Sequence, residues 1–485
     1  MALFTRRRIF MFLTVLLAVI FGEIITIKRS SYETKAVIIR VNFIVVLEII
    51  IFAFSCMIWN RLEPLITRGT TGAIESNNTQ TTESTTTTGL RKCKNSELDL
   101  SDDTNRNPNV TNEGNDTSRN SELTNSKKWS IWHVVLLTYL GTCHLSYLTN
   151  VFLISSEPHW ISLFAYACLG SFIQLNTGLV SFKLISVLLN ILNRAFALRC
   201  RISKKSGAFL ALIYTLLISV FGLYTASQLP AIKNVAIPVK DLPSALEKLT
   251  IVQLSDIHLG PTVGLSKLRK IQELVNQQNP DVVVLTGDLV DSPVYKLKEA
   301  VEPLSAINSK YGKYFVTGNH EYYTGDVDNW FSVLESHGFR VLHNSHVLIP
   351  EEASDKEGQI CLAGTDDVQA ERLGYGDHKF DLDKAVSSCN TARPVILLAH
   401  QPIAAKRAVD SDYRIDLVLS GHTHGGQLFP LNIPAYLLNP YFAGLYQDQR
   451  RGSFVYVSQG TQYWGIPMRI FTSMEITKLT LYSIH

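Results

Sequence analysis

"GHTHGGQ", residues 421–427, follows the apolar run "DLVLS" at 416–420 and sets His422 and His424 two apart among three glycines. A short β-branched run that ends in glycine reads as a strand buried on both faces. The same pattern recurs on either side. "KLTIVQLSDIH" (248–258) ends in Asp256 and His258, and "DVVVLTGDLVD" (281–291) carries Asp288 and Asp291. "KYFVTGNHE" (313–321) brings Asn319 and His320, and "PVILLAH" (394–400) ends in His400. "QICLAGTDD" (359–367) and "SFVYVSQGT" (453–461) are further strands. Between them, "SKLRKIQELVNQQ" (266–278) has helical periodicity, and "YKLKEAVEPLSAIN" (295–308) is a weaker helix interrupted by Pro303. From about 245 onward the chain therefore reads as a soluble α/β domain, and about 240 residues suffice for one core.

The strand ends collect metal-ligand residue types. In α/β sheets, sites form at the carboxyl ends of strands. In an extended chain, residues i and i+2 face one side, which predicts that Asp256 with His258, and His422 with His424, each aim at one point. Glycines 421, 425 and 426 are expected to clear room for a substrate beside the histidines. Seven residues, Asp256, His258, Asp288, Asn319, His400, His422 and His424, suffice for two divalent ions if Asp288, placed between the paired sets, bridges. Such a centre stays cationic, favours an anionic phosphoester, and lowers the pKa of bound water toward ~7. Imidazole-rich ligation points to Mn, Zn or Fe. His320, beside a ligand, is expected to serve the leaving group as a proton donor or transition-state partner, with Asp291 orienting it. His337, His343, His346 and His378 lie outside the pattern and read as ordinary core or surface histidines. Asp366 and Asp367 end a strand and are candidates to shape the site, as Gln427 and Tyr463 are to touch substrate.

The rest of the chain differs in kind. It has 485 residues, a formal charge of +3, 46% apolar and 18% charged residues, and a mean hydropathy of +0.11. No basic block interleaved with aromatics points to nucleic acid. The apolar excess lies in the first 230 residues. Five runs, roughly 9–27, 37–59, 131–154, 160–190 and 207–227, approach or exceed the ~20 residues a spanning helix needs. The first reads as an uncleaved helix after Arg6, Arg7 and Arg8, with a signal peptide as the alternative. The end of the fourth, "LISVLLNILNRAF", reads as a separate interfacial helix. Glu48, near the middle of the second, is expected to be protonated or paired inside a bundle. The Thr/Asn/Ser-rich stretch 61–130 cannot bury enough apolar surface to order itself and reads as a disordered loop. It holds the sequons of Asn77, Asn109 and Asn115. The expected order is two spans in 1–60, the loop 61–130, three spans in 131–230 and the α/β domain in 245–485.

Loop charges at Arg6–Arg8 and at Arg194–Lys205 put the N-terminus inside and, with five spans, the α/β domain on the non-cytosolic side. Lys28, Arg29, Lys35 and the sequons oppose this, and the balance favours the non-cytosolic side. The seven scattered cysteines read as free thiols, with a Cys361–Cys389 bridge as the alternative for a lumenal domain.

The motifs resemble the calcineurin-like metallophosphoesterase superfamily, whose pattern is D-x-H, GD-x-x-D, GNH-[DE], H and GH-x-H. Here it reads "DIH" 256–258, "GDLVD" 287–291, "GNHE" 318–321, His400 and "GHTH" 421–424. The resemblance implies an αββα sandwich. It also implies one metal on Asp256, His258 and His424, a second on Asn319, His400 and His422, and Asp288 shared. Protein phosphatases of that superfamily carry arginine after GD-x-x-D, where this chain has Ser292, which leaves the substrate grip to the metals. The membrane spans and "GHTHGGQ" are similar to bacterial membrane-associated phosphoesterases, some of which act on lipid-linked substrates. The expected function is a membrane-anchored, two-metal phosphoester hydrolase acting on a phosphomonoester or phosphodiester, with a lipid-linked substrate as one option. A catalytically idle membrane scaffold, or a transporter with a regulatory phosphoesterase-like domain, is the alternative.

Overall fold

The computed structural model describes residues 32–75, 129–196, 201–352, 358–389 and 393–484. Four helices open the described chain: α1 (Tyr32–Glu75), α2 (Ile131–Phe152), α3 (Trp160–Phe196) and α4 (Lys204–Ser227). Each contains an apolar stretch long enough to cross a membrane. The first apolar run of the sequence, 9–27, lies outside the described residues. So do 76–128, with all three sequons. Residues 61–75, expected in the loop, instead continue α1 to Glu75 past an internal Pro64. α3 runs unbroken to Phe196, so no separate interfacial helix follows it. Its apolar side chains repeat at helical spacing straight through the expected break. Residues Arg61–Leu136 group as a unit of their own, and everything below concerns the other unit. Within it, Glu48 of α1 pairs with His144 of α2, Oε2 to Nδ1 at 2.5 Å, which answers the cost of an acid in an apolar span.

Twelve strands follow: β1 (Ala231–Lys240), β2 (Thr250–Leu254), β3 (Val282–Thr286), β4 (Lys313–Val316), β5 (Phe339–Val341), β6 (Ser345–Ile349), β7 (Ile360–Gly364), β8 (Val395–Leu398), β9 (Leu417–Ser420), β10 (Gly444–Gln447), β11 (Phe454–Val457) and β12 (Glu475–Ile484). Helices α5 (Leu265–Gln277), α6 (Val294–Leu297), α7 (Asn319–Thr324), α8 (Val327–Ser336), α9 (Val368–Leu373), α10 (Leu382–Val386), α11 (Pro402–Asp410) and α12 (Asn432–Leu438) lie between them. The weak helix expected over 295–308 is a single α-turn followed by a 3-10 stretch, Lys298–Ala306, that accommodates Pro303.

The strands form two six-stranded mixed sheets, β1-β12-β2-β3-β4-β5 and β10-β11-β9-β8-β7-β6. Their facing sides share one apolar cluster, in which Ile251, Val284 and Val316 of the first sheet meet Leu362, Leu398 and Leu419 of the second. The outer face of the first sheet packs on α5 and α8 through Leu268, Ile271 and Trp330. That of the second packs on α10 and α11 through Ala385 and Ala405. Covering both faces explains runs such as "VVVLT", in which every residue is buried. β2, β3 and β4 are mutually parallel, as are β8, β9 and β11, so the carboxyl ends of each set share an edge. Cys361 and Cys389, read as free thiols with this bridge as the alternative, are joined in a disulfide. The packing of α10 on the second sheet brings the pair together.

Candidate metal centre

The loops after β2, β3, β4, β8 and β9 converge. Ligand atoms of Asp256, His258 and His424 lie within 4.8 Å of one another, as do those of Asp288, His400 and His422, and those of His258, Asp291 and His320. His258 Nε2 stands 3.0 Å from His424 Nε2. Asp288 Oδ2 joins the sets, 3.1 Å from His400 Nε2 and 3.7 Å from His258 Nε2. Asp256 Oδ1 lies 3.4 Å from His424 Nε2. Asn319 belongs to the same loop cluster, since the next residue, His320, donates its backbone N–H to Asp288 Oδ1 at 2.8 Å.

The pairs do not meet through extended backbone, as expected from their spacing. Asp256, His258, Asp288, His422 and His424 all have left-handed φ, between 51° and 73°. Non-glycine residues visit that region at a cost and persist there only where surroundings enforce it. Here loop bonds do so: Asp256 N–H donates to Gly287 O and His258 N–H to Asp288 O, both at 3.0 Å. The glycines also serve differently. A Cβ on Gly421 would lie 2.0 Å from Ser255 Oγ and 2.3 Å from Asp256 Oδ2, and one on Gly318 would lie 2.2 Å from Asp288 Oδ1. Gly421 and Gly318 thus make room for the carboxylates themselves rather than for a substrate.

Supporting contacts fix the donor atoms. His400 donates Nδ1–H to Thr286 O at 2.7 Å, directing Nε2 toward Asp288. His422 N–H donates to Asp256 Oδ1 at 2.9 Å. Asp291 Oδ1 lies 2.8 Å from Nδ1 of both His258 and His320. Sequence reading missed Glu321, although "GNHE" contains it. Its buried carboxylate accepts N–H groups from Asp288 (3.0 Å), Leu289 (2.8 Å), Val290 (3.3 Å) and Gly318 (2.7 Å), tying the β3 loop to the β4 loop. It also missed Arg469, fully buried, which donates to His424 O at 2.6 Å and to Gln462 O. The [DE] position of the GNH-[DE] pattern marks Glu321 without giving its role, whereas no local signal marks Arg469.

Other candidates resolve as structural. Gln427 bonds Trp464 O and Ile466 O, each at 3.0 Å, and Tyr463 is buried with its hydroxyl on Thr262 O. Asp366 pairs with His343 (2.7 Å) and lies 3.7 Å from His378, so these two histidines share one acid. Asp367 caps α9 and accepts from Gln401 Nε2 at 2.9 Å. Burial, against the pull of His400, lifts its carboxyl to about 7.

Electrostatics are strongly mutual. Burial raises Asp288, but His400 and then His320 outweigh it and hold the carboxyl well below its usual range. Burial lowers His320, but Asp288 and Asp291 outweigh it and raise the imidazole to about 9. Burial and then His400 push His422 down to about 3, and burial with His258 and Arg469 keeps His424 well below its ordinary value. The donor set suits cations by chemistry and by what it leaves unmet. Asn319 Oδ1 is buried without a hydrogen-bond partner, a state that normally costs free energy. The facing Nε2 atoms of His258 and His424 likewise suit a shared cation.

The rim meets the helices. Trp464 is 38% exposed, its ring 5.3 Å from His320 and 6.3 Å from Phe43 of α1. Phe43 in turn lies 5.6 Å from Tyr147 of α2.

Residues 249–426 match the calcineurin-like phosphoesterase family. A Danio rerio protein named transmembrane protein with metallophosphoesterase domain is 49% identical over 356 residues, 72% of this chain and 80% of that one. A Bos taurus protein of the same name is 46% identical over 376 residues, 75% and 83% of the two chains. A solved dimetal phosphatase from Danio rerio shares 12% identity over 44% of this chain and 88% of its own, with a TM-score of 0.32, a likeness too loose to carry weight. With a shared family sequence, relatives matched over most of their length and the motifs gathered where the carboxyl ends of the two sheets meet, the chain belongs to the calcineurin-like metallophosphoesterase family.

Proposed function

We propose that this chain is a membrane-anchored hydrolase of phosphomonoesters or phosphodiesters that works with two divalent cations, Mn, Zn or Fe. The observation that carries the reading is Asp288, one carboxylate set between His400 at 3.1 Å and His258 at 3.7 Å. Asp256, His258 and His424 would hold one cation, Asn319, His400 and His422 the other, and Asp288 both. Bound there, the cations would supply a water activated near neutral pH and a positive field for the phosphoryl group.

The chain's own residues do the rest. His320 projects from the start of α7 at the rim, its Nδ1 held by Asp291 at 2.8 Å. That leaves Nε2 free to give a proton to the departing oxygen. Trp464 and Phe43 give the rim an apolar wall continuous with α1, which supports a lipid-linked phosphoester over a soluble one. The Cys361–Cys389 bridge supports a non-cytosolic domain, because disulfides persist in oxidising compartments.

The test is metal analysis of the purified full chain, with hydrolysis of an aryl phosphate and of phospholipid phosphoesters measured with each metal added. Two ions per chain and chelator-sensitive cleavage are expected. A full metal complement with no ester cleaved would leave the idle scaffold as the better account.

A further inference from the structure

We infer that α12 and its flanking loop form an in-plane membrane anchor, which seats the metal-site face of the α/β domain at the bilayer. Between His424 and Asp448 the chain has no acidic or basic residue, and its centre reads "FPLNIPAYLLNPYF" (429–442). α12 buries none of its own residues. Leu431, Ile433, Tyr436, Leu437 and Leu438 are 44–81% exposed. Leaving such side chains in water forgoes the gain of burying them, and a clustered apolar surface of this kind marks an interaction site.

Continuity with the spanning helices identifies the occupant as lipid. Gln174 of α3 donates Nε2–H to Phe429 O at 2.6 Å, and its Oε1 accepts from Tyr214 of α4 at 3.0 Å. Gly178, one turn further along α3, lies against Ala211 of α4, while Gly170 and Gly222 both receive Met468. α3 and α4 therefore run antiparallel, and Gln174 sits level with α4 between Ala211 and Gly222. Gly222 itself is five residues short of the helix end at Ser227, about 7.5 Å inside it at 1.5 Å per residue. The segment leading into α12 thus meets the bundle at a depth within the apolar span. An apolar helix there lies among acyl chains and headgroups.

The anchor is fastened to the histidine loop at both ends. A Cβ on Gly426 would fall 2.2 Å from Asn432 Cα, so the two backbones touch. Thr423, between His422 and His424, donates to Phe442 O at 2.6 Å. Seating α12 in the membrane therefore fixes where the "GHTH" loop stands relative to lipid. None of this depends on the proposed hydrolysis.

The test places a photoreactive benzophenone amino acid at Leu437 in the full chain, reconstituted in phosphatidylcholine vesicles. Leu217, 65% exposed on α4, serves as the lipid-facing control. Asp412, exposed before β9 at the opposite sheet edge, serves as the aqueous control. Mass spectrometry after illumination is expected to find lipid adducts at Leu437 as abundant as at Leu217, and none at Asp412. Adducts at Leu217 without any at Leu437 would overturn the inference. So would cross-linking of position 437 to a second copy of the chain.

Discussion

Asp291 Oδ1 stands 2.8 Å from His320 Nδ1, and the same oxygen stands 2.8 Å from His258 Nδ1. One carboxylate thus orients a proposed ligand and the proposed proton donor together. His320→Ala should keep both cations and lower kcat by about 10²–10⁴-fold. Asp291→Asn should do both kinds of damage, weakening cation affinity by about 10–100-fold as well as slowing turnover. Metal content and kcat measured side by side check this, and equal metal loss in the two variants would remove the role given to His320.

Asp288→Asn attacks the shared point. The neutral amide has no anionic oxygen to share between two cations, so metal and activity should vanish together, with the fold retained. Far-UV circular dichroism and metal analysis report the two separately. A variant that held a full pair of ions would contradict the bridge.

Glu321 accepts four backbone N–H groups with two oxygens. Glu321→Gln turns one acceptor into a donor that faces other donors. Each buried group left unmet costs about 1–3 kcal/mol. The thermal midpoint should fall, and cation affinity with it, because the Asp288 loop loses its tether. An unchanged midpoint would mean the carboxylate is not what holds these loops.

Lys267 donates to Tyr463 Oη at 3.0 Å and to Ala226 O at 3.3 Å. Burial, helped by Lys270, lowers its amine to about 8 from the ordinary 10.5. Between those values the unfolded chain binds more protons than the folded one, so stability rises with pH across that window and this contribution is flat below it. The thermal midpoint of the natural chain should gain on that of Lys267→Met from pH 8 to 10.5. Parallel curves would show that the amine titrates normally.

The Cys361–Cys389 bridge closes a sequence separation of 28 residues, which corresponds to about 3.6 kcal/mol by chain entropy. Peptide mapping of protein alkylated in intact cells and digested without reduction should recover the linked pair. Both cysteines found alkylated would place the domain in a reducing compartment and reverse the side proposed for it.

Local pattern alone marks the donor residues of the site and the point where long apolar spans give way to short buried strands. Strands covered on both faces must be apolar throughout, so runs such as "VVVLT" and "LVLS" announce themselves, and the donors follow at their carboxyl ends. Spans announce themselves by length. Tertiary structure alone decided how the donors converge. The left-handed turns at Asp256, Asp288 and His422 are imposed by neighbouring loops, and no local pattern encodes them. Glu321 reaches the Asp288 loop, and Arg469 the His424 loop, only across the folded sheets, and Cys361 and Cys389 meet only where α10 packs on the second sheet. The approach of Phe43 to Trp464, and of Gln174 to Phe429, likewise rests on contacts between segments more than 200 residues apart. Periodicity within one segment carries no trace of such contacts.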